Sequence, residues 1–210
     1  MYMVIFAYNT YQIMEEKEKI VYFHGFASSG ASGTAQLLRR VLPDYEIVAP
    51  DIPLDPREAL PFLKQLCAQE QPCLVIGTSM GGMYAQQMRG FRRLIVNPAF
   101  WMSRMSKVLK LGNFTYLNKR KDKQMTARVT KEIIQAFRNM EDHQFDDLTE
   151  DDKTLCHAMF GRHDPVAHGY DTFVEHYPEA QASWFDGEHR INDDVLKHSI
   201  LPKIQEILSE

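Results

Sequence analysis

Short apolar runs alternate along this chain with longer stretches whose apolar residues recur at helical spacing. Ile20 to Phe23 is β-rich and is cut off by His24-Gly25. Beyond a Gly- and Ser-rich loop from Ala27 to Gly33, the positions Leu37, Leu38, Val41 and Leu42 predict a helix that Pro43-Asp44 stops. Glu46 to Ala49 reads as a second strand ending at Pro50-Asp51, and Ala59 to Gln69 as a helix with Leu60, Leu63 and Leu66 on one face. Cys73 to Ile76 predicts a third strand, Met80 to Arg89 a helix, and Leu94 to Val96 a strand closed by Asn97-Pro98. Thr154 to Phe160 and Ala182 to Phe185 read as further strands, with helices over Val166 to His176 and Asp193 to Ser209. Pro202 is expected to start a new turn in that last helix or to kink it. Met1 to Tyr8 is apolar, without a basic leader or small-residue cleavage site, and reads as a strand rather than a signal peptide.

Strands that alternate with helices predict an α/β domain with a mostly parallel sheet covered on both faces. Open sheets of this kind bind ligands outside the carboxyl ends of their strands, which singles out His24, Asp51, Ser79, Asn97 and Gly161. Residues 100–153 interrupt the alternation and are too many for a structureless connection. Val129, Ile133, Phe137 and Met140 form a helical stripe over Thr126 to Met140, with Thr126 placed to cap it. The insert is expected to be a small helical cap over the sheet edge; the alternative is a segment packed along the side of the domain. Residues 1–210 then make one domain, large enough to bury about 70% of its unfolded surface.

Composition narrows the partners. The chain is 44% apolar and 25% charged, with a formal net charge of −4, a balance that gives no reason to expect nucleic acid. No apolar run reaches the roughly 18 residues of a membrane span. Cys67, Cys73 and Cys156 fit neither a disulfide framework nor a closely spaced metal site. Reduced thiols in the cytoplasm, without metal or cofactor, are the expectation; monomer and homodimer are both compatible with it.

The candidate chemistry centres on Gly77-Thr78-Ser79-Met80-Gly81 after the Cys73 to Ile76 strand. A strand ending in Gly-x-Ser-x-Gly is the setting of a nucleophile elbow, where the serine sits on a strained turn with its hydroxyl above the sheet. Side chains in place of Gly77 and Gly81 would crowd that turn. A serine hydroxyl needs a base and a group to orient the base, and both should follow in the order acid, then histidine. Asp164 comes directly after the Thr154 to Phe160 strand and His189 after Ala182 to Phe185, so both fall at the same sheet edge. His163 is the competing base, and Asp186 and Asp193 are competing acids. Charge developing on a substrate oxygen needs donors. The Met80 N–H, at the start of a helix, is one candidate; the Phe26 N–H in the His24-Gly25-Phe26-Ala27 loop is the other, with Ala27 next. His24 is expected to brace that loop.

On these motifs the chain resembles the α/β-hydrolase superfamily over its whole length, and more narrowly the small bacterial YqiA-like esterases, whose early loop is likewise His-Gly-Phe-x-Ser. The resemblance implies Ser79 as nucleophile, Asp164 as acid, His189 as base, Phe26 and Met80 as oxyanion donors, and no cofactor. It implies hydrolysis of a small-molecule carboxylic ester through an acyl-enzyme. A thioesterase and a non-catalytic binding protein on the same fold stand as alternatives. Phe100, Trp101, Met102 and Met105, with His24, are candidates for a substrate pocket, or else the aromatic cluster is the insert's own small core. Nine Lys or Arg residues lie between Arg104 and Lys131, and seven acidic ones between Glu141 and Asp152. The basic face either turns to the crevice, favouring an anionic leaving group, or is solvated and paired with the acidic half.

Overall fold

The computed structural model describes residues 17–209, so the strand expected over Met1 to Tyr8 lies outside the described residues. Among these, eight strands form: β1 (Lys19–Phe23), β2 (Glu46–Val48), β3 (Leu74–Thr78), β4 (Arg93–Val96), β5 (Gly112–Thr115), β6 (Thr126–Val129), β7 (Cys156–Gly161) and β8 (Ala182–Phe185). Six of them make one sheet in the order β2-β1-β3-β4-β7-β8, and every neighbouring pair is parallel. The register sets Phe23 beside Gly77, Gly77 beside Ile95, and Ile95 beside Ala158. The carboxyl ends of β1, β3, β4 and β7 therefore reach one edge, which brings His24, Ser79, Asn97 and Gly161 together.

Alternation along each strand divides the core in two. Val21, Phe23, Val75, Ile95, Ala158 and Phe160 pack on one face with α2 (Pro56–Glu70), α3 (Met80–Ala85), α4 (Lys131–Glu141) and α6 (Tyr170–His176). Ile20, Tyr22, Leu74, Ile76, Leu94 and Val96 pack on the other with α1 (Gly33–Val41) and α8 (Leu201–Ser209). Burial of each Val, Leu, Ile or Phe among them contributes about 1.5–3 kcal/mol. Arg93, wholly buried at the start of β4, bonds to Asp152 Oδ2 at 3.0 Å and to the Gln86 carbonyl at 2.9 Å. Asp152 belongs to α5 (Glu150–Thr154), so this paired buried charge ties the end of the insert to the sheet.

The structure corrects several expectations about local elements. The insert is not wholly helical: β5 and β6 pair as an antiparallel hairpin. Thr126 does not cap a helix but opens β6, where burial alternates residue by residue down to Val129, the strand period rather than the helical one. Thr130 is the cap, accepting from the Ile133 N–H at 3.3 Å, and the helix starts at Lys131. The helix expected from Val166 begins only at Tyr170, because the Val166 and Ala167 amides bond to the Asp164 carboxylate instead. The helix after the elbow ends at Ala85 rather than Arg89, as the Gln87 and Met88 amides turn to three-residue bonds. The last helix is continuous from α7 (Asp193–Val195) into α8, with a π turn over Leu196–Ile200 just before Pro202. Pro202 thus stands inside the continuous helix, directly after a π turn in which the Leu201 N–H bonds back to the Leu196 carbonyl, the local widening of the ladder that accompanies such an interruption.

Candidate active site

Ser79 joins β3 to α3 with φ 55° and ψ −120°, a conformation that costs an L-residue about 1–3 kcal/mol. Close packing imposes it. A Cβ on Gly81 would stand 2.1 Å from the Phe23 carbonyl oxygen, and one on Gly77 would stand 2.3 Å from the Gly81 oxygen. The two glycines therefore let α3 touch β1 and β3, which pushes the serine out above the sheet edge. Gly81→Ala is expected to lose about 3 kcal/mol or more of stability, measured from the urea midpoint.

Three side chains from three strand ends meet there. His189 Nε2 lies 3.0 Å from Ser79 Oγ, and His189 Nδ1 lies 2.8 Å from Asp164 Oδ2. The other carboxylate oxygen, Asp164 Oδ1, accepts from the Val166 and Ala167 amides at 2.7 and 3.1 Å. The Asp164 carboxyl is almost fully buried. Burial would raise its pKa, but the bonds from His189 and the two amides outweigh it and hold the group below the usual carboxylate range. The competitors fall elsewhere: Asp186 bonds to His163 at 2.9 Å, and Asp193 faces Arg40 at 3.6 Å.

Asn97, flagged by the sequence only as a strand end, anchors this arrangement. It adopts φ 46°, the left-handed conformation that Asn tolerates better than most residues. Its Oδ1 accepts from the Gly161 N–H at 2.7 Å, and its Nδ2 donates to the Glu188 and His189 carbonyls at 3.0 and 3.3 Å. One side chain thereby joins the end of β7, from which Asp164 departs, to the loop that carries His189. The Asn-Pro pair after a strand is the signal that could have found it.

The loop after β1 passes directly over the serine, since a Cβ on Gly25 would lie 3.4 Å from Ser79 Cβ. No hydrogen bond within the described residues engages the N–H of Phe26 or of Met80. His24 braces the loop: its Nδ1 bonds to the Gly25 carbonyl at 2.8 Å, and its Nε2 accepts from the Ile52 N–H at 3.1 Å. Burial pushes its pKa down to about 4. The native state therefore binds fewer protons than the unfolded chain, so stability is full above pH 6.5 and declines as pH falls through about 4. The loss amounts to about 3 kcal/mol, and the pH dependence of the denaturation midpoint should be flatter in His24→Gln over that interval.

The hairpin of the insert is latched to the same loop. Leu117 N–H donates to the Ala27 carbonyl at 2.8 Å, Asn118 Nδ2 to Ser28 Oγ at 3.1 Å, and Ser29 Oγ to the Lys119 carbonyl at 2.8 Å. Phe26 meets Phe114 with ring centroids 4.9 Å apart.

The candidate pocket residues divide. Phe100 and Met102, 1% and 0% exposed, belong to the core and present no surface to a ligand, which corrects the expectation for both. His24 has both ring nitrogens committed to backbone and is no lining residue either. Trp101 and Met105 are half-buried against that core, the Trp101 indole donating to Thr172 Oγ1 at 3.1 Å. The physical reason is that the insert folds down onto the sheet, so that Phe100 and Met102 join the same core as Val21, Phe23 and Ile95. A groove of about 840 Å³ between α2 and α4 contains none of the candidate residues.

A model described as Uncharacterised protein family (UPF0227) matches residues 19–206. The chain belongs to that family. Solved structures add the fold. Est1E from Butyrivibrio proteoclasticus is 12% identical with a TM-score of 0.61, the match covering 93% of this chain and 90% of that one. The mouse alpha/beta hydrolase domain-containing protein 10 is 11% identical with a TM-score of 0.64, covering 92% and 90%. The methylesterase MES16 from Arabidopsis is 11% identical with a TM-score of 0.57, covering 91% and 99%. This member of the family thus has the α/β-hydrolase fold, with a six-stranded sheet that is parallel throughout the described residues. Among the described residues, no helix is long and apolar enough to cross a membrane.

Proposed function

We propose that the chain is a serine hydrolase that cleaves a small carboxylic ester through an acyl-enzyme. The observation that carries this reading is the unbroken relay from Ser79 Oγ through His189 to the buried Asp164. Asp164 accepts from His189 Nδ1–H, which leaves Nε2 unprotonated toward the serine and stabilises the imidazolium that forms. His189 takes the Ser79 proton as Oγ attacks the ester carbonyl. The Phe26 and Met80 amides receive the developing oxyanion, the second reinforced by the amide dipoles at the start of α3. Collapse of the tetrahedral species breaks the bond to the alkoxy group, which His189 protonates. Water, activated by the same imidazole, then releases the acid and restores Ser79.

A fluorophosphonate probe tests this without knowledge of the substrate. Covalent labelling confined to Ser79, located by peptide mass spectrometry, is the expected result. An unlabelled serine on a folded protein would instead support a binding protein on this fold.

A further inference from the structure

From Arg104 to Lys131 the chain carries nine Lys or Arg residues and a single acidic one, Asp122, in a protein whose net charge is −4. Pairing with the acidic stretch Glu141 to Asp152 does not account for these cations. Four of its seven carboxylates are engaged elsewhere, Asp152 with Arg93 and Arg89, Glu141 with Ser103, Asp146 with His143 and Glu150 with Lys153, and among the described residues none of the seven forms an ion pair with a cation of the basic stretch. Among the described residues, the ion pair within the basic stretch is Arg120 with Asp122 at 3.1 Å, and no carboxylate stands within ion-pair distance of Lys119, Lys121 or Lys123.

The tip of the β5–β6 hairpin gathers this charge beside apolar surface. Lys119, Lys121 and Lys123 are exposed, and so are Leu117 and Met125, at 68% and 75%. Arg120, by contrast, is buried, its guanidinium 4.4 Å over the Tyr116 ring and bonded to both oxygens of Asp122. It offsets the one acidic residue of the tip's own sequence and stiffens the turn, while the Asp51 carboxylate accepts from the Lys121 N–H at its base. Large apolar side chains clustered in water mark an interaction surface. Their combination with unpaired lysines is the pattern of an element that enters a bilayer interface, hydrocarbon at the acyl boundary and cations among anionic headgroups. A nucleic acid would engage the lysines and leave Leu117 and Met125 without a partner.

We infer that this hairpin tip docks on an anionic lipid surface and holds the Ser79 site against esters dissolved in it. The docking stands by itself; the delivery of esters rests on the hydrolase reading. The latches to Ala27, Ser28 and Ser29 set the tip and the loop over Ser79 as one rigid unit, so an ester at the surface lies beside the loop.

Co-sedimentation of the full chain with vesicles tests the docking. Binding to phosphatidylcholine vesicles containing phosphatidylserine, and not to phosphatidylcholine alone, is expected. Lys121→Gln/Lys123→Gln should weaken it severalfold or more, and Met125→Ser severalfold, both variants sparing the latch residues and keeping full activity on a water-soluble ester. Hydrolysis of an ester carried in the anionic vesicles should fall in parallel. Absence of binding to the anionic vesicles overturns the inference. So does binding that Met125→Ser leaves unchanged and a single-stranded oligonucleotide displaces, which would mark a polyanion site instead. Vesicle binding by Ser79→Ala equal to that of the unaltered chain supports docking even if no ester is turned over, in which case the hydrolase reading alone fails.

Discussion

Ser79→Ala is expected to lower kcat for ester hydrolysis by roughly 10⁴- to 10⁶-fold and to abolish fluorophosphonate labelling, while the melting temperature stays almost unchanged. The stability side follows from the backbone. Alanine meets the same cost as serine at φ 55°, and the amide of position 79 keeps its bond to the Val96 carbonyl at 3.0 Å. What disappears is the hydroxyl 3.0 Å from His189 Nε2, the atom that must attack. Turnover in the purified variant within tenfold of the original would sink the mechanism.

Asp164→Asn is the second large effect, and the two backbone donors beside it fix its direction. The Val166 and Ala167 amides require an acceptor at the Oδ1 position, so the asparagine must place its carbonyl there and its amide NH₂ toward His189 Nδ1. An imidazole that accepts at Nδ1 carries its proton on Nε2, facing Ser79, and has no lone pair for the serine proton. A loss of about 10⁴-fold in kcat is expected, as for the same change where the geometry stays intact but the tautomer is wrong. The KM should change little. Steady-state kinetics together with a proton NMR assignment of the His189 tautomer would check both parts.

Much of this site was legible in the sequence because each part lies just beyond a strand. Turn chemistry marks strand ends strongly: Gly25, Ser79 between its glycines, Asn97-Pro98 and Gly161 all interrupt apolar runs. The shared parallel register then brings those ends together. The insert was less legible for a physical reason. Thr126 to Met140 carries apolar residues that satisfy a helical stripe, yet its first four residues also alternate, and pairing with β5 decides for a strand. A partner that distant in sequence leaves no mark on local spacing. The same limit hid the roles of Phe100 and Met102, whose composition suits a pocket wall or a core equally and whose burial depends on how the insert folds back. Asn97 shows the converse. Its place was evident, but its bonds to Gly161, Glu188 and His189 join segments far apart in the chain.

The latch between the hairpin and the loop over the serine has a kinetic consequence. Many caps on catalytic sites swing, and the rate of opening then limits turnover. Here Leu117, Asn118 and Lys119 are bonded to the segment that carries the Phe26 amide. Lifting the hairpin would strip those bonds and loosen the Phe26 amide in the same motion. On the proposed hydrolase reading the insert is expected to act as a splint rather than a gate, with the Phe26 amide held in place before any ester arrives.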